Sequence, residues 1–211
     1  MDRSTAVTMV QRKLGFRTDQ SSVIIDALQD AQLKFERGTT LPWFLITDVT
    51  SITTTSGSHK VTFPTDFLRE YEEDALWYFD SAADDDEQWN LLKKDSFYTL
   101  RQLYPGSGVP VAYAIHEGEF FIFPEPDAVY TLKLIYYKKD TLLTTDVEND
   151  WLKYAPFVLI GEAGMDLAEN LSHDKALKNF EKMLARALIR LHAENEERKW
   201  SNQRLQMGGE D

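Results

Sequence analysis

The strongest periodic signal lies in the C-terminal third of the chain. Leu177, Phe180, Leu184, Leu188 and Leu191 recur at steps of three and four, which lines one face of a helix at 3.6 residues per turn. Phe157, Ile160, Gly164, Leu167 and Leu171 repeat that spacing upstream. The two stretches predict a helical hairpin running from Trp151 to Trp200, with Ser172 as the N-cap of its second helix. Pro156 falls near the start of the first helix, where a missing N–H costs little. Gly161 and Gly164 each weaken a helix by about 1 kcal/mol relative to Ala. Two glycines within one turn predict close backbone approach, either inside the core or to a neighbouring subunit.

Beyond Leu191 the apolar stripe stops but helical composition continues through Glu194, Glu196, Glu197, Arg198 and Lys199. With no core face for about two turns, this part of the helix is expected to stand off the body. Trp200, Leu205 and Met207 then return apolar groups to a polar tail ending in Gly208, Gly209, Glu210 and Asp211.

At the other end, Thr5 to Leu14 reads as a short helix closed by Gly15. A second follows, capped by Asp19, Ser21 or Ser22, with Ile24, Leu28, Ala31 and Phe35 in helical register and Gly38 at its end. The apolar burst LPWFL at 41–45 is too short for a helix behind a proline and is expected to plug side chains into the core. From Thr47 the texture becomes β-branched. TDVTSITTT and KVTF around SGSH predict a hairpin. ALWYF (75–79) and QWNLLK (88–93) predict paired strands around the acidic loop SAADDDE, where Asp84 to Glu87 is expected to be mobile. Ser96 to Tyr104 predicts a short helix. VAYAI, EFFIF and VYTLKLIYYKK predict a three-stranded meander. The fold class is therefore α+β: N- and C-terminal helices (1–45 and 146–199) form one bundle, an antiparallel β-rich module (46–145) is inserted, and an extended C-terminal helix leads into a tail (200–211).

Composition narrows the function. A chain of 211 residues can bury a substantial core, and its formal charge of −12 argues against clamping DNA, which requires Lys and Arg to displace counterions. The same charge suits a channel wall past which DNA must slip without sticking. The absence of cysteine excludes disulfides, zinc–thiolate sites and a thiol nucleophile. His59, His116, His173 and His192 lack ligand spacing. MDRSTAVTMV has no uninterrupted apolar segment of signal-peptide type, and no stretch approaches the ~20 apolar residues of a membrane span, so cytosolic synthesis and no membrane partner are expected.

Carboxylate groups are the only candidates for chemistry: Asp84, Asp85, Asp86 and Glu87; Glu70, Glu72, Glu73 and Asp74; and Asp146, Glu148 and Asp150. Oxygen-rich clusters suit Ca²⁺ or Mg²⁺, yet none carries the glycine and closing Glu of an EF-hand. Phosphate loops, HExxH and the GxSxG elbow are absent. No metal, cofactor or catalytic residue is expected. Ser172, His173 and Asp174 read as a helix start rather than a triad. The aromatic runs at Trp77, Tyr78, Phe79 and at Tyr136, Tyr137 read as strand packing, since RNA-binding sheets would add basic residues.

One order of motifs goes further. PWFL, then FPTDFLREYEED, then GVP leading into AYAIHEGEFFIFPEPDAVYTLKLIYYKKDTLL, then ENDWLKYAPFVLIGEA, resembles the head-to-tail adaptor (connector) proteins of tailed bacteriophages, in particular short-tailed ones, over nearly the whole chain. The resemblance implies a structural, non-enzymatic ring, commonly of about twelve copies, in the virion neck beneath the portal protein. Such a ring extends the DNA channel to the tail nozzle or tail tube protein. It implies portal docking through the tail, with Trp200, Leu205 and Met207 as anchors and Arg204 for carboxylate partners. Ala185 and Ile189, on a second apolar side of the long helix, are the candidates for ring contact, and the acidic loop at Asp84, Asp85 and Asp86 would face the tail. The competing readings are a metal-assisted hydrolase using Asp84 or Glu72, and an acidic DNA-mimic inhibitor.

Overall fold

A computed structural model of the chain describes residues 1–71, 75–80 and 88–207, with side chains described as far as residue 198. Its elements, in chain order, begin with helices α1 (Arg3–Lys13) and α2 (Ser21–Glu36) and strands β1 (Ile46–Thr53), β2 (Lys60–Val61), β3 (Phe67–Glu70), β4 (Leu76–Phe79), β5 (Trp89–Leu91) and β6 (Lys93–Lys94). Helix α3 (Phe97–Leu103) follows, then β7 (Ser107–Gly108), β8 (Ala112–His116), β9 (Glu119–Phe123), β10 (Glu125–Pro126) and β11 (Thr131–Lys138). The chain closes with α4 (Asp150–Tyr154), α5 (Pro156–Asn170) and α6 (Asp174–Met207). The fold is α+β and divides into two compact units, one helical (Met1–Leu45 with Asp140–Asp211) and one β-rich (Ile46–Lys139).

In the helical unit α1 is capped by Asp2, whose carboxylate accepts the Thr5 N–H at 2.8 Å, and Gly15 follows its end with φ of 79°, a conformation that glycine adopts freely. α2 has no side-chain cap, contrary to the sequence expectation. A turn of 3₁₀ helix at Thr18–Gln20 feeds it instead. Asp19 is drawn aside by Arg17, with two nitrogen–oxygen distances of 2.9 Å, and the Ser21 hydroxyl donates to the Thr18 carbonyl. Leu41, Phe44 and Leu45 of LPWFL are buried.

The stretch from Trp151 to Leu171 is two helices, not one. The chain breaks at Ala155 because the residue before a proline is pushed out of the helical region, and Pro156 then starts α5. Ser172 does not cap α6. It sits at φ 52° and closes α5 by donating its N–H to the Glu169 carbonyl. The cap is His173, whose Nδ1 accepts the Ala176 N–H at 3.3 Å. The stripe buries Ile160, Leu167, Phe180 and Leu184, whereas Phe157, Leu171 and Leu188 at its ends stay exposed. Both glycines serve contact within the chain: a Cβ on Gly161 would lie 2.9 Å from the Leu184 Cβ, and one on Gly164 would lie 2.3 Å from the Phe180 ring.

A polar knot ties α2 to the stretch leading into α4. Gln32, Glu36 and Asn149 are all buried. Glu36 Oε1 accepts from Gln32 Nε2 (2.9 Å), Trp151 Nε1 (3.2 Å) and the Asp140 N–H (3.3 Å). Asn149 Nδ2 donates to Gln32 Oε1 and to the Thr141 carbonyl, while its Oδ1 caps α4 through the Leu152 N–H. Every buried polar atom of this knot that takes part is matched, which is the condition for such a group to be tolerated in a core.

In the β-rich unit, one sheet runs β1-β11-β4-β5, with β3 also on β11, and a second runs β2-β9-β8-β6. The pairings are antiparallel except for β6 with β8 and β7 with β10. Val61, Leu76, Tyr113, Phe120, Ile122, Leu132, Leu134 and Tyr136 form one core. α3, capped by Ser96, covers the other face of the second sheet through Leu100 over Ala112, Ala114, Phe121 and Phe123. The expected β4–β5 pairing is present. The expected β1–β2 hairpin is not: it closes only at its tip, with a bridge between Thr55 and Ser58. β1 then pairs with β11, and β2 with β9. The expected meander is likewise a β8–β9 hairpin only, since β11 belongs to the other sheet. Turn residues fix the tip of a hairpin, but partner choice follows the burial of alternate side chains, and Leu132, Leu134 and Tyr136 of β11 are the buried set.

Candidate functional site

Helix α6 carries the candidate assembly features. Its 34 residues make a rod about 50 Å long at 1.5 Å per residue. Ala176, Phe180 and Leu184 face the body and are buried. Ala185 is exposed, and Ile189, four residues on and therefore on the same face, is 71 % exposed. The single chain thus leaves this pair uncovered.

The expectation that α6 stands off after Leu191 is corrected as far as Arg198. Asn195 is buried and its Oδ1 accepts the Trp43 N–H at 2.9 Å. The Arg198 guanidinium lies 3.4 Å from the centre of the Trp43 ring, a cation–π contact. Trp43 packs edge-on against Tyr154 at 4.9 Å and against Phe44 at 5.7 Å. The stripe reading missed this because the docking groups are an asparagine amide and an arginine guanidinium, which hydropathy counts as solvent-facing. On the neighbouring turn Arg190 and Glu194 form an i,i+4 pair at 2.8 Å, beside a groove lined by Tyr154, Phe157 and Leu191.

Trp200, Arg204, Leu205 and Met207 lie on α6 itself, which remains helical to Met207. Their side chains fall outside the described residues, as do Asp84, Asp85, Asp86 and Glu87, and Glu72, Glu73 and Asp74. Of the second carboxylate group Glu70 is described: it accepts from the Tyr113 hydroxyl and pairs with Lys94. The third group is dispersed in structural work. Asp146 accepts the Ser4 N–H at 2.8 Å, Glu148 pairs with the N-terminal amine, and Arg3 bonds the Leu143 and Thr144 carbonyls. Among the described residues no three His, Asp or Glu side chains converge. His59 Nδ1 donates to the Ile122 carbonyl, His116 stacks on Phe97, and His173 caps α6.

One described carboxyl is raised by burial, that of Glu36, which sequence reading passed over. Burial pushes its carboxyl above the ordinary range, opposed by the hydrogen bonds from Gln32, Asp140 and Trp151. Its four-residue spacing from Gln32 on an otherwise apolar face was the available signal. The role is structural, since every partner of the carboxylate belongs to the knot. No described helix is long and apolar enough to cross a membrane.

An α+β chain with a long terminal helix, uncovered apolar residues on it and carboxylates engaged in holding the chain together has the character of an assembly protein. The family model of the SU10 adaptor protein matches residues 1–207, and the chain belongs to that family of bacteriophage adaptors. A search of curated proteins finds no match.

Proposed function

We propose that this chain is the subunit of a structural ring, of about twelve copies, that docks beneath the portal protein of a short-tailed phage, extends the DNA channel and attaches the tail nozzle or tail tube. Its place is the virion neck, and it performs no catalysis and holds no cofactor. Trp200, Arg204, Leu205 and Met207 dock on the portal, Ala185 and Ile189 contact the next subunit, and Asp84, Asp85 and Asp86 face the tail. The observation that carries this reading is α6. It continues as one helix past Arg198 to Met207 while leaving Ile189 uncovered. A closed ring needs two different patches on each subunit, so that each copy offers one surface and accepts another. The acidic balance of the chain suits a wall along which DNA slides.

Two-dimensional images of the chain mixed with portal protein test it directly. An added ring at one pole is expected, lost on deleting residues 200–211 and on Ile189→Glu. A truncated chain that filled the portal sites normally would contradict the docking assignment. The hydrolase alternative rests on Asp84 or Glu72, which lie outside the described residues, and an activity lost on Asp84→Ala or Glu72→Ala would support it; Asp146, Glu148 and Glu70 are engaged in ion pairs and backbone bonds.

A further inference from the structure

The hairpin that fails to close leaves a gap with main-chain edges on both walls. β1 bonds β11 along one edge and β2 bonds β9 along one edge. The opposite edges of both strands face each other below the Thr55–Ser58 bridge, and beyond it the described residues show no main-chain bond between them. A bulge between Val49 and Ile52 bends β1 here. A groove is lined on one wall by Ser51, Ile52 and Thr53, on the other by Val61 and Thr62, and Tyr136 lines it too. Exposed β-branched edges recruit strands unless something blunts them. We propose that this gap receives an extended segment of a different polypeptide, about four residues paired on both sides, which would join the two sheets into one.

The groove also specifies the chemistry of its occupant. Its two charged groups are already engaged: Lys60 Nζ pairs with Glu119 at 2.6 Å, and Asp66 accepts the Tyr136 hydroxyl at 2.8 Å. What remains is hydroxyl and apolar surface, so the segment is uncharged, with apolar side chains alternating toward Ile52, Val61 and Tyr136. A second copy of this chain has no such segment to spare. Its longer uncharged stretches are spent in its own fold: 4–11, 20–25 and 154–161 lie in helices, 38–47 leads through the buried LPWFL into β1, 49–59 is the groove wall itself, 102–116 runs through β7 and β8, 120–124 and 128–132 serve β9 and β11, and 141–145 bonds Arg3, Gln29 and Asn149. Segments 81–87 and 208–211 carry four and two acidic residues.

The proposal rests on the adaptor reading for where the partner is sought, and hydrogen exchange separates the two. The full chain is measured alone and within assembled particles. The main-chain amides within residues 49–53 and 61–63 that point into the gap, rather than to β11 or β9, are expected to exchange quickly in the free chain and at least about tenfold more slowly in particles. Ser51→Lys with Thr53→Lys places charge in the gap at two exposed positions. This variant is expected to keep the wild-type circular dichroism and to enter particles at least about tenfold less well. If the double variant misfolds, the wild-type exchange comparison alone decides. Absence of the wild-type chain from particles would sink the adaptor reading. Its presence with the gap amides still fast, or with protection already seen in the concentrated chain alone, would overturn the strand-addition proposal.

Discussion

The two units hold their backbones in opposite ways. In the helical unit the tightest contacts join sequence neighbours: α5 lies so close to α6 that Gly161 and Gly164 meet Leu184 and Phe180 with no room for a methyl group, and the polar knot around Glu36 matches its buried groups internally. The β-rich unit is assembled from strands distant in sequence around an aromatic core in which Phe120 touches the rings of Phe63, Phe67 and Tyr113, and it leaves a seam between β1 and β2. Among its described buried side chains the first unit leaves one polar atom, Trp43 Nε1, without a hydrogen bond. The second carries strand edges, on β1 and β2, that the described residues leave without main-chain bonds to each other, and the difference is between an internally matched core and a sheet edge left open.

The sharpest way to break this comparison is at Phe180. Phe180→Ala is expected to destabilise the helical unit by about 3–5 kcal/mol, read by thermal or denaturant unfolding. Gly164→Ala alone is expected to cost about 1–3 kcal/mol by overpacking, despite its better helix propensity. In the double variant the added methyl enters the space the ring vacates, so the two costs should sum to less than their total; strict additivity would show that the close approach is not a contact. Next comes Glu36→Ala, expected to cost about 1–3 kcal/mol because Trp151 Nε1 and Gln32 Nε2 lose a buried acceptor. Asn195→Ala, which strands the Trp43 N–H, is expected to fall at the lower end of that range.

The smallest effect is the most discriminating. Burial raises the Glu36 carboxyl in the folded state, so folding favours its protonated form. That contribution is present at low pH and is lost as pH rises through the folded value. Glu36→Gln keeps an acceptor oxygen for its three donors and cannot ionise. Its stability at neutral pH is expected within about 1 kcal/mol of wild type or above it, with a flatter decline as pH rises above the ordinary glutamate range. A steeper decline in the variant would mean that the charged form is the one the knot favours.

The helical unit was legible in the sequence because a helix announces its buried face locally. The 3.6-residue stripe gave α5 against α6, and the paired glycines gave the close approach, though not which neighbour they approach. Caps were read less well, because His173 and Asn149 compete with nearby Ser and Asp residues that bond elsewhere. The strands of the β-rich unit were found but their partners were not: β1 and β2 carry a good turn and still part, because the burial of Leu132 and Leu134 on a strand some 80 residues away decides the pairing. Of the candidate site, spacing put Ala185 and Ile189 on one face, which is exposed in the single chain, whereas the contacts of Asn195 and Arg198 were hidden by their polarity.

The two anchorages of α6 fix its aim. Leu184 is seated on Gly161 and Asn195 on Trp43, about 16 Å apart along the axis, with about 18 Å more to Met207 at 1.5 Å per residue. A rod pinned twice cannot swivel about either pin, so a slip of about 1 Å at one of them would displace the far end by only about 1–2 Å. The terminus is thereby a pointer with a set bearing, and a mating surface can be met without the search that a hinged arm would need.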